Sequence, residues 1–405
     1  MYTNQNGRLG PLTHFSTTVS SNYSILNNEH SALRIGGGIT YANELQTNFF
    51  VDEAFMEYTY RNLQFMIGTQ HRSVELNGLS SVNGNILFSN NARTLPGVEV
   101  KTVRPFSIAD FFAIGGSLAH YQTLDDRFVE DAMIHYKHLD LIFNWNQNST
   151  LKATIQHAVQ WGGTSPVFGK QPTSFSDYIR VVFGGSGGET ARDSDQINAL
   201  GNSLGSFGLT YQWRKNDSQW TLYHQSLFED RSGTEANNFP DGVWGVQWTN
   251  PDNSWASAVL YEYIQTISQS GRPRQTEGGQ QSGGDNYFNN GTYRSGWTYF
   301  GRNIGLPFIT QDPDGLGFDN NRIIAHHVGV RGQLWKLNYL AKGSYVEGLG
   351  TYREPFPRRR KAVYTYLETS YATPSYGTLS LLLGADYLNT TGSNFGAGLQ
   401  YRYSF

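Results

Sequence analysis

Few residues in this chain have types and spacing that could support catalysis. His224 and Ser226 lie two positions apart, so in a β-strand they would share a face, as the base and nucleophile of a hydrolase must. No neighbouring acid or amide would fix the tautomer of the histidine. The surrounding Trp220, Leu222 and Phe228 instead favour two polar residues placed among aromatic and aliphatic side chains. We therefore predict that the protein has no catalytic residues and is not an enzyme.

Metal ligands are equally sparse. His326 and His327 are adjacent, so in a strand they would point to opposite faces and could not bind one ion. His135 and His138 lie near a predicted bulge, since the apolar parity shifts between Ile134 and Leu141. The sequence Asp312-Pro313-Asp314-Gly315 is an ordinary turn that could hold calcium only weakly. The chain has no Cys, which excludes thiol catalysis, cysteine–zinc sites and disulfides. We predict no metal site and no cofactor.

The composition excludes further classes of protein. Charged residues make up 16% of the 405 residues and aromatic residues 14%, whereas soluble domains carry about 25% charged residues. The net charge of −3 argues against a nucleic-acid partner. No apolar run approaches the roughly 18 residues of a membrane-spanning helix, and the first residues have no apolar core of a secretory signal.

Polar and apolar residues instead alternate with the two-residue period of β-strands. In the C-terminal segment 394–405, one face carries Phe395, Leu399, Tyr401 and Phe405, and the other face is polar. A soluble sandwich could also alternate. However, the predicted strands run about 10–13 residues, about twice the globular mode, and their apolar faces begin and end in Tyr or Trp, as in an aromatic girdle. The pattern favours an all-β, transmembrane antiparallel β-barrel forming a single domain over residues 1–405.

The predicted strands number seventeen. They lie near residues 13–26, 31–42, 47–60, 62–72, 96–103, 110–122, 131–145, 149–162, 205–214, 218–228, 241–249, 254–266, 322–332, 335–346, 361–372, 377–388 and 394–405.

The connections between these strands alternate between short and long. The long ones cover 73–95, 163–204, 229–240, 267–321 and 347–360. Outer-membrane barrels have short periplasmic turns and long extracellular loops, so Phe405 should be periplasmic and residues 1–12 should lie outside the cell. Bacterial barrels of one chain have an even number of strands. We therefore expect one further strand upstream of Met1 and a barrel of about 18 strands, with 16 as the alternative.

Two of the loops are too long for simple connectors. The loops 163–204 and 267–321 would either fold into the lumen as a plug or build an extracellular surface. Because about 42 and 55 residues are available to fill the lumen, we predict that extracellular loops occlude it, with 267–321 as the largest available plug. Within 163–204, Ser174 or Ser176 could cap a short helix that ends at Gly184.

Four stretches resemble the capsule-assembly Wzi family, in the form common in Bacteroidetes. They are Gln160-Trp161-Gly162-Gly163, Asp195-Gln196-Ile197-Asn198-Ala199-Leu200-Gly201-Asn202, Gly283-Gly284-Asp285-Asn286-Tyr287-Phe288-Asn289-Asn290-Gly291 and Tyr293-Arg294-Ser295-Gly296-Trp297-Thr298-Tyr299-Phe300-Gly301-Arg302. The resemblance implies an 18-stranded outer-membrane lectin that helps hold capsular polysaccharide on the cell surface. No segment of this chain is similar to the periplasmic helical bundle of enterobacterial members.

Candidate ligand-binding residues are amides, guanidinium groups and aromatic rings, because sugars present apolar ring faces and many hydroxyl groups. Strand parity places Gln156 and Gln160 in the lumen, whereas Trp161 should point outward at the membrane edge. The aromatic residues of 287–300 could bind a glycan or simply pack a plug. A basic segment near 353–361 could bind an acidic polymer or neutralise lipopolysaccharide phosphates at the membrane rim. The predicted glycan-binding residues are Gln156, Gln160, Asp285, Arg294, Trp297, Arg302, Arg353, Arg358, Arg359, Arg360 and Lys361.

Three functions remain open at this point. The barrel could bind or retain capsular or other surface polysaccharide without an active site, act as a solute-transport pore, or serve as a structural or accessory subunit of an outer-membrane complex. The expected partners are surface polysaccharide, lipopolysaccharide and outer-membrane lipids, with outer-membrane proteins as a further possibility. The expected location is the outer membrane of a Gram-negative bacterium, with the long loops extracellular.

Overall fold

The computed structural model describes residues 5–404 apart from 11, 189–190, 192–198, 230–235, 272–273, 276–280, 283–284 and 374. Within these residues, one sheet of 18 strands forms the wall of a transmembrane antiparallel β-barrel. The strands are β1 (Ser16–Asn27), β2 (Ser31–Ala42), β3 (Phe49–Tyr60), β4 (Leu63–Thr69), β5 (Gly97–Thr102), β6 (Phe106–Ala109), β7 (Phe112–Gln122), β8 (Met133–Asn146), β9 (Ser149–Trp161), β10 (Asn202–Lys215), β11 (Ser218–Phe228), β12 (Gly242–Thr249), β13 (Ala258–Gln265), β14 (Ile323–Leu334), β15 (Leu337–Gly350), β16 (Pro355–Thr373), β17 (Gly377–Leu388) and β18 (Gly392–Arg402).

Each strand pairs with the next along the chain, with one exception. Both β5 and β6 pair with β7, so β5 and β6 together cross the membrane once. The 18 described strands therefore cross the membrane 17 times. Every strand predicted from the alternation has its counterpart in the sheet. In the described pairings β1 and β18 each keep one unpaired edge, and the two strands run in the same direction. Antiparallel closure between them would need an odd number of additional strands, and the expected upstream strand stays a prediction.

Exposure along the strands is the reverse of that in a water-soluble sheet. In β17, Leu379 on the outer face is 55% exposed, whereas Asp386 on the inner face is 4% exposed. An apolar outer face and a polar inner face suit a wall that has lipid outside and a polar lumen inside. Phe405, which was expected at the periplasmic end, lies outside the described residues.

The connections contain one α-helix and several short elements within the described residues. Helix α1 (Phe175–Phe183) begins with a capping box, in which the Ser174 hydroxyl and the Asp177 carboxylate each accept from the other residue's backbone N–H, and it ends at Gly184 with φ of 67°. The predicted caps are therefore confirmed. No described helix is long and apolar enough to cross a membrane. The other elements are a 3-10 turn at Leu76–Gly78 and the hairpins Thr164–Ser165 with Gly169–Lys170, Arg274–Gln275 with Gln281–Ser282, Thr298–Tyr299 with Arg302–Asn303, and Thr310–Gln311 with Phe318–Asn320.

The hydrophobic core lies inside the barrel, where two loop segments meet the inner wall. We call residues 70–96 and 286–309 together the plug. Residues 70–96 descend deep into the lumen, because Gln247 donates to the carbonyl of Leu76 at 2.8 Å and Arg331 donates to the carbonyl of Asn77 at 3.2 Å. Gln247 and Arg331 lie two and three residues from the periplasmic ends of β12 and β14. This segment therefore reaches almost across the barrel.

Residues 286–309 form the upper part of the plug. Trp297 is fully buried, and its indole N–H donates to the carbonyl of Leu87 at 2.8 Å. Ser89 donates to the carbonyl of Gly305, and the Asn91 amide donates to that of Asn303 at 2.9 Å. The occluded lumen is thus confirmed. The deepest plug segment, however, is 70–96 rather than part of 267–321, which the sequence favoured because that loop is longer.

The segment 162–188 does not enter the lumen. Helix α1 packs on the outer face of the barrel, where Tyr178 and Val181 contact Val159 and Trp161. Trp161 points outward as its parity predicted, but α1 covers it, so it is buried rather than exposed in a girdle. Of the two roles that the sequence left open for this loop, the described part has the surface role.

The predicted loop 347–360 is wrong. The strand β15 continues to Gly350 and β16 begins at Pro355, which leaves a tight turn of residues 351–354. In the described register Gly350 pairs with Pro355 and Gly348 with Arg360, so residues 356–359 have no ladder partner in β15. The ladder of β16 with β17 begins at Ala362. Proline is tolerated on such an edge, where its missing N–H breaks no ladder. Pro355 and Pro357 therefore indicated an edge strand and not a loop.

Candidate functional site

The eleven sequence-predicted site residues lie in separate parts of the barrel and do not form one site. The β15–β16 hairpin at the extracellular end contains Arg353, Arg358, Arg359, Arg360 and Lys361. Other extracellular segments contain Asp285, Arg294 and Arg302. The contacts between plug and wall include Gln160 and Trp297, and the lumen contains Gln156.

The cations of the β15–β16 hairpin divide between its two faces. Val363 and Leu367 of β16 point to the lipid side, so the odd-numbered Arg359 and Lys361 share that side. Both pair with Glu347 of β15: Arg359 Nη1 lies 2.6 Å from one carboxylate oxygen, and Lys361 Nζ lies 3.6 Å from the other. This outer pair lies directly above the lipid-facing residues of the same strand.

The other face of the hairpin presents an aromatic ring beside a guanidinium group. Phe356, Arg358 and Arg360 alternate along β16, and the Arg360 guanidinium lies 3.6 Å from the centroid of the Phe356 ring. Arg360 also pairs with Asp319 at 2.7 Å. Arg358 is exposed and has no side-chain hydrogen bond or ion pair within the described residues, and Arg353 is exposed in the adjacent turn. This arrangement offers planar hydrogen-bond donors and an aromatic surface to a ligand outside the cell.

A second guanidinium lies against aromatic rings elsewhere on the extracellular side. Arg294 is exposed, its guanidinium lies 4.9 Å from the Phe128 ring and 5.8 Å from the Phe168 ring, and its Nε donates to the carbonyl of Gly291 at 3.3 Å. Phe128 follows β7 and Phe168 follows β9, so this pair is far around the barrel from the β15–β16 hairpin. The two surfaces are therefore distinct.

Arg302 and Asp285 connect extracellular segments to each other. Arg302 Nη2 donates to the carbonyl of Leu9 at 2.5 Å, which holds the N-terminal segment against the plug. Asp285 accepts a hydrogen bond from Ser270 Oγ at 2.6 Å. These contacts give both side chains a structural role that the sequence did not reveal.

Gln160 and Trp297 are buried where the plug meets the wall. The amide of Gln160 accepts from Asn202 Nδ2 at 2.7 Å and donates to the carbonyl of Gly296 at 3.0 Å. Trp297 has no exposed ring face to stack on a sugar. Of the two roles that the sequence left open for the aromatic residues of 287–300, packing of the plug is the role that Trp297 has.

Gln156 lies on a polar cavity inside the lumen. Its side-chain oxygen accepts from Asn85 Nδ2 and Tyr136 OH, both at 2.8 Å. Two adjoining cavities of about 240 and 450 Å³ lie between segment 70–96 and the wall, and they share Glu75, Asn83, Asn85, Tyr136 and His138. The sequence missed the plug side of these cavities because Glu75, Asn83 and Asn85 belong to a loop with no periodic pattern.

Two arginines of the plug illustrate how its charges are held in an aromatic environment. Burial lowers the pKa of Arg93 to about 10, and its guanidinium lies between the rings of Phe50 and Phe300, 3.4 and 4.1 Å from their centroids. Burial also acts to lower the pKa of Arg72, but the neighbouring Tyr121 and the Glu99 carboxylate outweigh it and raise that pKa. Both residues also line the cavity of about 240 Å³.

One group of possible metal ligands was not foreseen from the sequence. The nearest ligand atoms of Asp52, Glu53 and His71 lie within 4.8 Å of one another. Arg8 donates two hydrogen bonds to the Asp52 carboxylate, at 2.9 and 2.5 Å, so the Arg8 guanidinium is already the positively charged partner of this carboxylate. The pairing joins residues 44 positions apart, and no sequence spacing signals it.

The remaining motifs are placed as their parity predicted. His326 points outward, 2.8 Å from Tyr261 OH, whereas His327 is buried on the inner face beside Ser344. His224 stacks on Trp244 with a 3.8 Å centroid separation, and its Nδ1 lies 3.2 Å from the carbonyl of Val243. That the protein has no catalytic residues stays a prediction.

The fold and these surfaces define a class: an outer-membrane β-barrel whose lumen is filled by its own loops and whose extracellular side carries arginine–aromatic pairs. The family model for the capsule assembly protein Wzi matches residues 3–316, so the chain belongs to the Wzi family. No curated protein matches the sequence. The Bacteroidetes origin suggested by the motifs stays a prediction.

A solved structure of the family has the same fold. The chain is similar to Wzi, an outer membrane protein of Escherichia coli involved in group 1 capsule assembly and a carbohydrate-binding β-barrel, with a TM-score of 0.58 and 16% identity over 95% of this chain and 76% of that one. OccK10 of Pseudomonas aeruginosa has a TM-score of 0.48 and 9% identity, covering 97% of each chain. OccAB4 of Acinetobacter baumannii has a TM-score of 0.44 and 11% identity, covering 95% of this chain and 89% of that one. The protein is located in the outer membrane of a Gram-negative bacterium.

Proposed function

We propose that this protein is a surface lectin that binds an acidic capsular or exopolysaccharide and helps hold it on the cell. The observation that carries the proposal is the face of the β15–β16 hairpin formed by Phe356, Arg358 and Arg360. It is extracellular and partly exposed, and the Arg358 guanidinium, which has no hydrogen-bond or ion-pair partner in the described part of the chain, can bind an anion. Membership of a capsule-assembly family supports the same assignment.

The chemistry of this face suits an acidic sugar polymer. A uronic acid carboxylate can accept two parallel hydrogen bonds from a guanidinium, and a lysine cannot offer that geometry. The Phe356 ring lies beside Arg360 and offers an apolar surface for the C–H face of a pyranose ring. Arg358 and Arg360 lie two residues apart in a strand, about 6.7 Å, so each could meet its own group on a repeating polymer.

The filled lumen supports a binding role over a transport pore. The plug joins the inner wall through side chains from several strands, and its largest members, Trp297, Tyr287, Phe88 and Phe288, are fully buried. A solute would have to displace this core before it could pass.

The test separates the two faces of the hairpin. The variant Arg358→Gln/Arg360→Gln removes the inner cations, and the matched control Arg359→Gln/Lys361→Gln removes two outer cations from the same strand. Binding of alginate, a polymer of uronic acids, is measured on purified protein over a range of salt concentrations, with neutral dextran as the control polymer. Because exposed ion pairs contribute about 0.2–1 kcal/mol each, the inner variant should bind alginate roughly 2- to 30-fold more weakly.

The two variants then give distinct results. Loss of alginate binding in the inner variant alone supports the proposal, and the dependence on salt should weaken with it. Equal losses in both variants would mean that the hairpin acts only as a basic band. If neither variant changes binding, the site lies elsewhere, and Arg294, with its partners Phe128 and Phe168, is the next surface to test.

A further inference from the structure

Helix α1 lies against the outside of the barrel wall. The Tyr178 ring contacts three outward-pointing rings, with centroid separations of 5.5 Å to His120, 5.6 Å to His135 and 5.6 Å to Trp161. Val181 packs with the same cluster. One side of α1 is therefore fixed to β7, β8 and β9.

The helix sits directly above side chains that face lipid. Lys137 of β8 pairs with His157 of β9, and the next outward pair towards the periplasm is Leu139 with Ile155. Leu139, Ile155 and the neighbouring Phe207 are exposed on the outer surface. Successive outward residues of a strand are about 6.7 Å apart, so α1 begins where the lipid-facing surface ends.

The contacts of α1 also cover polar groups that point away from the lumen. Lys137 Nζ donates to the carbonyl of Val182 at 2.5 Å and lies 2.8 Å from His157 Nδ1. His135 is completely buried. Cations on the lipid face of a barrel are destabilising in a depth-dependent manner, with the cost falling to about 0–1 kcal/mol near the interface. Helix α1 therefore shields the Lys137 ammonium from lipid at the level where the lipid-facing surface ends.

The opposite side of α1 is an apolar stripe without a partner among the described residues. Phe175 is 78% exposed, Ile179 41% and Phe183 82%, and the spacing of four residues places all three on one face of the helix. Lys170 and Arg180 line a surface cavity beside the polar part of the helix, together with Ser174, Ser176 and Asp177. Large aromatic residues on one face beside cations are typical of helices that lie in a membrane interface.

We propose that α1 is an in-plane interfacial helix, whose stripe of Phe175, Ile179 and Phe183 inserts among the acyl chains of the outer leaflet. The occupant follows from continuity, because the stripe lies on the outside of the barrel directly above the lipid-facing surface of Leu139, Ile155 and Phe207. The helix thus widens the barrel's contact with lipid on one side and leaves the polysaccharide-binding surface near β15–β16 facing the medium. This inference does not depend on the proposed function.

The chain has no Cys, which permits a direct measurement of depth. Single-cysteine variants Phe175→Cys, Ile179→Cys and Phe183→Cys are labelled with bimane and reconstituted in phosphatidylcholine vesicles. Quenching by phospholipid that carries a doxyl group near its headgroup is compared with quenching by aqueous iodide. Leu139→Cys supplies the lipid control, and Asp314→Cys, in an exposed extracellular turn, supplies the water control.

The proposal predicts that the three helix labels lose as much fluorescence to doxyl lipid as the label at Leu139 and are protected from iodide. Iodide quenching equal to that at Asp314, without doxyl quenching, would overturn the proposal. A helix that docks a protein would give this second result, because the vesicles contain no other protein. Heat-modifiable migration in gels confirms that each variant is folded, and Phe183→Cys removes the most exposed of the three side chains and is the safest variant.

Discussion

The structure predicts that Glu262 of β13 holds the lower end of the plug in the lumen. This carboxylate is completely buried and accepts hydrogen bonds from Ser80 Oγ at 2.6 Å, from the N–H and Oγ of Ser81 at 2.8 and 2.5 Å, and from Tyr223 OH at 2.6 Å. Three of these four bonds come from the plug. Glu262→Ala removes the acceptor of all four hydrogen bonds.

The size of the effect follows from these contacts. A hydrogen bond to a charged group contributes about 1.5–3 kcal/mol, and removal of one partner from a buried charged network costs about 3–5 kcal/mol. Taking about 4 kcal/mol, the population in which the plug tip leaves the wall should rise by roughly 10³-fold. Glu262→Gln keeps one acceptor oxygen and similar volume, so its effect should be smaller.

Hydrogen exchange of the Ser81 amide measures this opening, because that N–H bonds directly to Glu262. Its protection should fall by roughly 10³-fold in Glu262→Ala, and planar bilayers should show brief conductance steps that wild type lacks. Glu368→Ala is the matched control, since Glu368 is a lumen-side acid whose one described hydrogen bond comes from Tyr366. Unchanged protection of Ser81 in Glu262→Ala would refute the reasoning, whatever the conductance.

Three further outcomes are expected. Trp297→Ala should destabilise the plug by about 3–5 kcal/mol, since it empties a fully buried site; hydrogen exchange of residues 286–309 measures this. Replacement of residues 76–88 by a short Gly/Ser linker should open a stable aqueous channel in planar bilayers, and an unchanged closed state would show that this segment is not the plug. Burial raises the pKa of Asp241, so the folded loop binds more protons than the opened loop. The backbone amides of Ser268 and Gln269 donate hydrogen bonds to Asp241. Their protection from hydrogen exchange should therefore fall as pH rises through that elevated pKa. Asp241→Asn should remove this pH dependence.

Much of the wall was predictable from the sequence because a barrel has a simple physical pattern. Each crossing needs an apolar face towards lipid and a polar face towards the lumen, so the alternation identified every crossing. The capping residues Ser174 and Asp177 and the terminal Gly184 likewise act locally, and the helix between them was expected. Local rules suffice where the environment on each face is uniform.

The plug was harder to assign because loop length is a poor guide to depth. The loop 267–321 is more than twice as long as 73–95, yet the shorter loop reaches the periplasmic end. A signal was present in the consecutive apolar residues Ile86, Leu87 and Phe88, which lie between Asn and Ser residues. Such a run is out of place in a solvated loop, and all three side chains are buried in the lumen.

The plug also explains an error about β8. The apolar parity changes between Ile134 and Leu141, and the sequence suggests a bulge near His135 and His138. The pairing with β9 is regular there, and its one shift lies between Asn144 and Asn146. Ile134 faces the apolar plug, whereas Leu141, farther down the strand, faces lipid on the opposite side. A change of parity in a filled barrel can therefore mark the depth at which the lumen becomes apolar.

In the β15–β16 hairpin, the two faces of a strand likewise separate charged residues that are neighbours in the sequence. Four consecutive cations, Arg358 to Lys361, resemble one basic loop when they are counted together. The contacts separate them, because Arg359 and Lys361 pair with Glu347 above the lipid, whereas Arg360 pairs with Asp319 on the other face. Arg358 has the same parity as Arg360. The two interpretations that the sequence could not separate, a rim that neutralises phosphates and a site for an acidic polymer, therefore belong to different faces of one strand. Each can be removed by substitution without the other, and this makes the polysaccharide-binding proposal testable.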